Sequence, residues 1–144
     1  MPEALVDTDI LSEIMKGRNE VVRSRATEYL ATYGSFSISA VTILEVVKGF
    51  HKVGREPELQ RFVSSLSSVR VLPLAEPEAT LAGKIYGDLE RLGRPIGRAD
   101  PMIAATAIVH GLVLVTGNEE HYQRVRDAGY QLTLSNWKSP TQAP

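Results

Sequence analysis

Apolar residues fall along this chain in short continuous runs separated by stretches of helical period, and that alternation predicts the elements. Ala4-Leu5-Val6 stops at Asp7 and has the composition of a buried strand. Helices are predicted over 10–16, ended by Gly17, and over 20–33, ended by Gly34. A strand is expected over 36–39, helices over 41–53 and 56–67, and a strand over 69–73. The amphipathic stretch 77–92 opens with Pro77, which suits a first helical turn, and stops at Gly93. An almost wholly apolar helix over 101–110 leads into the apolar strand 112–115, then a helix over 119–128 and a last strand over 132–134. Strands alternating with helices predict an α/β domain with a largely parallel sheet. Ligands bind such sheets beyond the carboxyl ends of the strands, where Asp7 and the Thr116-Gly117-Asn118 loop fall.

No repeat, linker or low-complexity tract divides the 144 residues, which read as a single domain over 1–144. Apolar residues make up 43% and charged residues 23%, an ordinary globular mixture. The absence of cysteine excludes disulfides and thiolate metal sites and fits a reducing cytoplasm. The stretch from Met102 to Val115 is broken by His110 and Gly111, too short and polar to span a bilayer, so a soluble protein without membrane contact is expected. A net charge of −1 provides no global surplus for a polyanion, so any nucleic-acid affinity must come from a local patch and from metal ions.

The candidate chemistry is carboxylate. Asp7 ends the first strand and points into the crevice; Asp9 caps the helix that follows, which leaves Asp7 for another role. Glu45 projects from the predicted third helix away from Ile43, Val46, Val47 and Phe50, beside Thr42 and Gly49; the alternative is a solvated glutamate paired with Lys48. Asp100 before Pro101 is a strong helix-start signal, yet the helix it starts is apolar all round and should be buried. Asn118 is placed to cap the helix over 119–128. Arg91, Arg94 and Arg98 precede Asp100, and Lys48 and Lys52 follow Glu45; they offer phosphate contacts or a solvated basic face. The three histidines show no catalytic spacing, and His110 is expected to support a helix carboxyl end.

Taken in order, strand-Asp7-Thr8-Asp9, Thr42-x-x-Glu45-x-x-x-Gly49, Asp100-x-x-Ile103-Ala104-Ala105 and Leu114-Val115-Thr116-x-Asn118 resemble the PIN-domain ribonucleases, specifically the VapC toxins of bacterial toxin–antitoxin pairs. The resemblance runs from Ala4 to Trp137 and is most specific between Pro95 and Tyr122. It implies a three-layer α/β/α domain in which Asp7, Glu45 and Asp100 are catalytic and hold Mg²⁺ or Mn²⁺. It implies RNA as substrate, a VapB-like antitoxin as partner, and a homodimer; Thr8 and Thr116 are expected as hydroxyl contacts, and Arg98 and Lys48 as supports that hold the strand. Where many relatives carry a fourth acid this chain has Asn118, an oxygen ligand without charge. A second metal is then expected to bind more weakly unless Asp9, Glu119 or Glu120 supplies the charge.

Two other readings compete. Asp7-Thr8-Asp9 also suits a haloacid-dehalogenase-like phosphatase with Asp7 as nucleophile and Asp9 as acid/base. That motif wants Thr or Val where Leu11 stands, and it leaves Glu45 unexplained. A non-catalytic PIN-like module that binds RNA or antitoxin is the other; the intact Asp7, Glu45 and Asp100 argue against it.

Overall fold

The computed structural model describes residues 1–139. Its elements in chain order are β1 (Ala4–Val6), α1 (Thr8–Lys16), α2 (Glu20–Tyr33), β2 (Ser37–Ser39), α3 (Ala40–Lys52) and α4 (Glu56–Ser65). There follow a 3-10 turn (Leu66–Ser68), β3 (Arg70–Leu72), α5 (Glu76–Arg91), α6 (Ala99–His110), β4 (Val113–Val115), α7 (Glu119–Asp127) and β5 (Leu134–Ser135).

The strands pair in the order β3-β2-β1-β4-β5, and every pairing is parallel. Strand β1 therefore sits at the centre. From it the chain steps outward to β2 and β3 on one side, then returns to place β4 and β5 on the other. The gap between β1 and β4 is the switch point at which crevices open in such sheets. Register there pairs Ala4 with Val113, Leu5 with Leu114 and Val6 with Val115, which brings Asp7 and Thr116 to adjacent strand ends.

The period of two along a strand sorts these residues between two cores. Ala4, Val6, Ile38 and Val115 face a cluster with Ile10 and Leu11 of α1, Val22, Ala26 and Tyr29 of α2, Val46 of α3, Phe62 of α4, and Trp137. Leu5, Leu72 and Leu114 face the other, with Ala82, Ile85 and Leu89 of α5, Ile103 to Ala105 and Ala107 of α6, and Tyr122 and Val125 of α7. The result is three layers, α1–α4 below the sheet and α5–α7 above it. Helix α6, apolar all round in sequence, has Ile103, Ala104, Ala105 and Ala107 fully buried, as expected of a helix enclosed by neighbours.

Several boundaries differ from the pattern-based expectation, each for a local reason. Helix α1 starts at Thr8, two residues early, because Asp7 O accepts the Leu11 N–H at 3.0 Å and closes a turn that begins at Asp7. Asp7, not Asp9, is thus the cap. Helix α6 starts at Ala99 with Arg98 as cap, so Asp100 lies inside the first turn with Pro101 after it, where a missing N–H is harmless. Strand β3 ends at Leu72 because Pro73 has no N–H for the ladder. Strand β5 falls at Leu134–Ser135, not 132–134, since Leu132 turns into the core instead. His110 lies in the last turn of α6, as expected of a residue at a helix carboxyl end, and its Nε2 also meets Glu78 Oε1 of α5 at 3.2 Å.

Candidate active site

The site forms where the carboxyl ends of β1 and β4 meet the first turns of α1, α6 and α7. Asp7 is its buried centre, only 5% exposed. Oδ1 accepts the Thr8 N–H at 2.8 Å and Oδ2 accepts the Thr116 hydroxyl at 2.8 Å, so both oxygens are held in place. Burial, then the nearby charge of Asp9, push the Asp7 carboxyl up to about 7, against the lowering effect of the Thr116 and Thr8 hydrogen bonds; Asp100 adds to the rise. Acids from two separated segments, the start of α1 and the first turn of α6, therefore act on one another in a space where water screens them little.

Asp100 enters from α6. Its Oδ1 accepts the Tyr122 hydroxyl at 3.2 Å, and its Oδ2 lies 3.3 Å from His121 Nδ1. Tyr122 is fully buried, and burial together with the charges of Asp7 and Asp100 raises its phenol well above the usual range, which keeps it a neutral donor. Because α6 starts at Ala99, the Asp100 carboxyl makes no side-chain cap and is turned to these two residues.

Glu45 reaches the site through a hydroxyl. Thr8 Oγ1 donates to Glu45 Oε1 at 2.6 Å and also lies 3.0 Å from Thr42 Oγ1. The i, i+3 pairing of Glu45 with Lys48 is not what the structure forms; Lys48 is exposed. Thr8 directly follows Asp7, so one peptide links the Glu45 contact to the central acid.

The residues flanking Asn118 complete the rim. Asn118 occupies the cap position of α7 without a side-chain cap; instead its N–H donates to Thr116 Oγ1 at 2.9 Å and its Nδ2 stands 2.9 Å from His121 Nδ1. That nitrogen faces both Asn118 and Asp100, so unprotonated it accepts from Asn118 and protonated it donates to Asp100. Asp9, the expected source of extra charge for a second ion, is held by backbone: Oδ1 accepts the Ile10 N–H at 2.8 Å and Oδ2 accepts the Gly117 N–H at 2.9 Å. Its carboxyl is also raised, first by burial, while those N–H groups and the Lys138 charge lower it. Arg98 is exposed at the cap of α6. Glu119 and Glu120 are exposed on the first turn of α7.

Sequence reasoning missed Tyr122, His121 and Lys138. The first two had a readable signal: Asn118, His121 and Tyr122 stand at i, i+3 and i+4, one turn of a helix that begins at a strand's carboxyl end. Lys138 had none, because its place depends on the chain's return after β5.

Among the described residues no three His, Asp or Glu side chains close into a preformed metal cage. The donor set still suits a hard divalent cation. Carboxylate and hydroxyl oxygens crowd one spot, and Mg²⁺ keeps most of its waters and asks for one or two carboxylates. A cation would also offset the burial, and then the repulsion from Asp9 and Asp100, that lift Asp7 toward neutrality.

Comparison with known proteins identifies the family and relatives of the same fold. The PIN domain family matches residues 4–127. The tRNA(fMet)-specific endonuclease VapC of Shigella flexneri is 35% identical over 127 residues, covering 87% of this chain and 93% of its own. Ribonuclease VapC1 of Haemophilus influenzae (strain R2866) is 30% identical over 128 residues, covering 88% and 95%. Among solved structures, DNA-bound VapBC from Salmonella typhimurium superposes with a TM-score of 0.79 at 28% identity, over 95% of this chain and 99% of that one. VapBC-1 from nontypeable Haemophilus influenzae superposes with a TM-score of 0.77 at 28% identity, over 94% and 98%.

Proposed function

This chain belongs to the PIN-domain family, and from that premise we propose that it is a metal-dependent endoribonuclease toxin neutralised by a VapB-like antitoxin. The observation that carries the reading is the convergence of Asp7 and Asp9, from the end of β1 and the start of α1, with Asp100 of α6 around the buried Asp7 carboxyl at the β1/β4 switch point. RNA is the substrate, as the names of the similar nucleases suggest. The cytoplasm is the site of action, and no helix of the described residues is long and apolar enough to cross a membrane. A homodimer and a single domain over 1–144 complete the proposal.

Asp7 and Asp100 would hold the ion, Mg²⁺ or Mn²⁺, with Glu45 beside it; an ion there polarises a phosphoryl oxygen and lowers the pKa of nearby water. The chain's own residues do the positioning. The Thr116 hydroxyl and the Thr8 N–H hold the Asp7 carboxyl in one orientation, and the Tyr122 hydroxyl does the same for Asp100. Glu45, steadied by Thr8, orients the water that attacks phosphorus as the bond to the leaving oxygen breaks. Asn118 would offer an amide oxygen without charge, so a second ion would bind more weakly than the first unless Glu119 or Glu120 compensates. Lys48 and Arg98 are exposed, and their charges would attract phosphates without reading sequence.

The phosphatase reading needs Asp9 as a mobile acid/base, but both Asp9 oxygens accept backbone N–H groups, which ties the carboxyl to structure. The decisive experiment incubates the purified chain with single-stranded RNA, with EDTA or Mg²⁺. Cleavage is expected only with Mg²⁺ and should fall at least about 100-fold in Asp7→Ala. RNA binding without cleavage under any divalent ion would leave the non-catalytic module instead.

A further inference from the structure

One cation stands at the mouth of this acidic site, and the family's acidic pattern does not include it. Lys138 follows Trp137, whose ring is 2% exposed and packs 5.6 Å from the Tyr29 ring. The Lys138 N–H donates to Asn136 Oδ1 at 2.9 Å, which closes a turn over that anchor. This turn brings the lysine side chain across the loop after β4. A Cβ placed on Gly117 would lie 3.1 Å from Lys138 Nζ and 2.6 Å from Asp9 Oδ2, so ammonium and carboxylate converge over the bare glycine.

Arg98 and Lys48 are exposed, whereas three other basic groups are engaged elsewhere. Arg94 pairs with Asp127 at 3.2 Å, Arg91 with Asp88 at 2.8 Å, and Arg124 donates to Pro95 O at 2.9 Å. Lys138 is the cation whose charge acts on Asp9. It also lies beyond residue 127, where the family match ends.

We propose that Lys138 is a substrate-positioning residue whose ammonium takes a phosphate oxygen of the RNA strand on the Asp9 side of the acidic site. The proposal rests on the nuclease reading above. An ammonium has three donors, so attraction to Asp9 leaves others to face the groove. Asp9 is committed to backbone and Asn118 has no charge, so this side of the site lacks the surplus that would draw a second ion. A lysine supplies there the positive charge that a polyanion needs, as a compact point charge.

The test measures binding of a fluorescein-labelled single-stranded RNA in EDTA, by anisotropy, across a salt series. Wild type is compared with Lys138→Met, Lys138→Arg and Lys84→Met, the last an exposed lysine on α5. Lys138→Met should weaken binding roughly fivefold at low salt and flatten the plot of log affinity against log salt by about 0.7, one phosphate contact on a single strand. Lys138→Arg should restore both, Lys84→Met should change neither, and in Mg²⁺ Lys138→Met should raise KM with kcat nearly unchanged. Lys138→Met with wild-type affinity and salt slope overturns the proposal, as do equal losses in Lys138→Met and Lys84→Met, which would reflect net charge alone. A wild-type chain that neither binds nor cleaves RNA removes the nuclease reading, and this inference with it.

Discussion

At the scale of single residues, Asp7 performs two tasks that conflict. It caps α1 through its backbone oxygen and the Thr8 N–H, and it presents a buried carboxylate among like charges. Its folded value of about 7 stands above the ordinary 3.8. The native state therefore keeps a proton that the unfolded chain has already released. That contribution is fully present below about pH 4 and is lost as pH rises through 7, so the metal-free protein should lose on the order of a few kcal/mol across this window. Asp7→Asn has no proton to release. Its melting temperature, followed by circular dichroism in EDTA from pH 4.5 to 8, should fall less steeply and exceed that of wild type at pH 8, while cleavage is lost. A residual slope from Asp9 is expected, since burial raises its carboxyl as well. Parallel curves for the two proteins would contradict the burial of an unpaired Asp7 charge.

At the scale of elements, the helix starts decide what the acids can do. The pattern of apolar residues located α2 to the residue and most other elements within two or three. It misplaced the starts of α1 and α6, because Asp9 and Asp100 are both good cap residues and composition does not say which peptide closes the first turn. The structure makes Asp7 and Arg98 the caps, and this leaves Asp9 to brace the β4–α7 loop and Asp100 to face Tyr122 and His121. Gly117 is the tight point of that loop. Its φ is not in the left-handed region; what demands glycine is space, since a Cβ would sit 2.6 Å from Asp9 Oδ2. Gly117→Ala should push the carboxylate off the Gly117 N–H and cost about 1–2 kcal/mol, read as a lower urea midpoint at unchanged m-value. Cleavage should fall with it, because the same loop carries Thr116 and Asn118.

At the scale of the whole molecule, the site is a product of topology. Strand β1 lies between β2 and β4, and the reversal beside it opens the crevice into which Asp7, Asp100 and the Thr116 loop project. An ion that binds there should stabilise the entire fold, because the unfolded chain offers no such gathering of acids. At a concentration 100-fold above its dissociation constant the gain is about 2.7 kcal/mol. Thermal denaturation with and without Mg²⁺ should show it, with a larger shift at pH 8 than at pH 5, where Asp7 must first give up its proton. Asp7→Asn should abolish most of the shift. A shift equal at both pH values would place the ion away from Asp7.

The sequence by itself determined the α/β layering, the acids worth testing and the family, because hydrophobic period and the ordered motifs from Asp7 to Asn118 are local signals carried by neighbouring residues. The tertiary structure alone decided which acids meet. Thr8 links Glu45 to the central strand, Tyr122 and His121 gather Asp100, Asp9 turns out to be a brace, and Lys138 arrives from the carboxyl-terminal turn. Those contacts join residues up to more than a hundred positions apart, as Thr116 and Asp7 do. Their geometry is set by strand order and by which peptide closes each helix, neither of which local composition encodes.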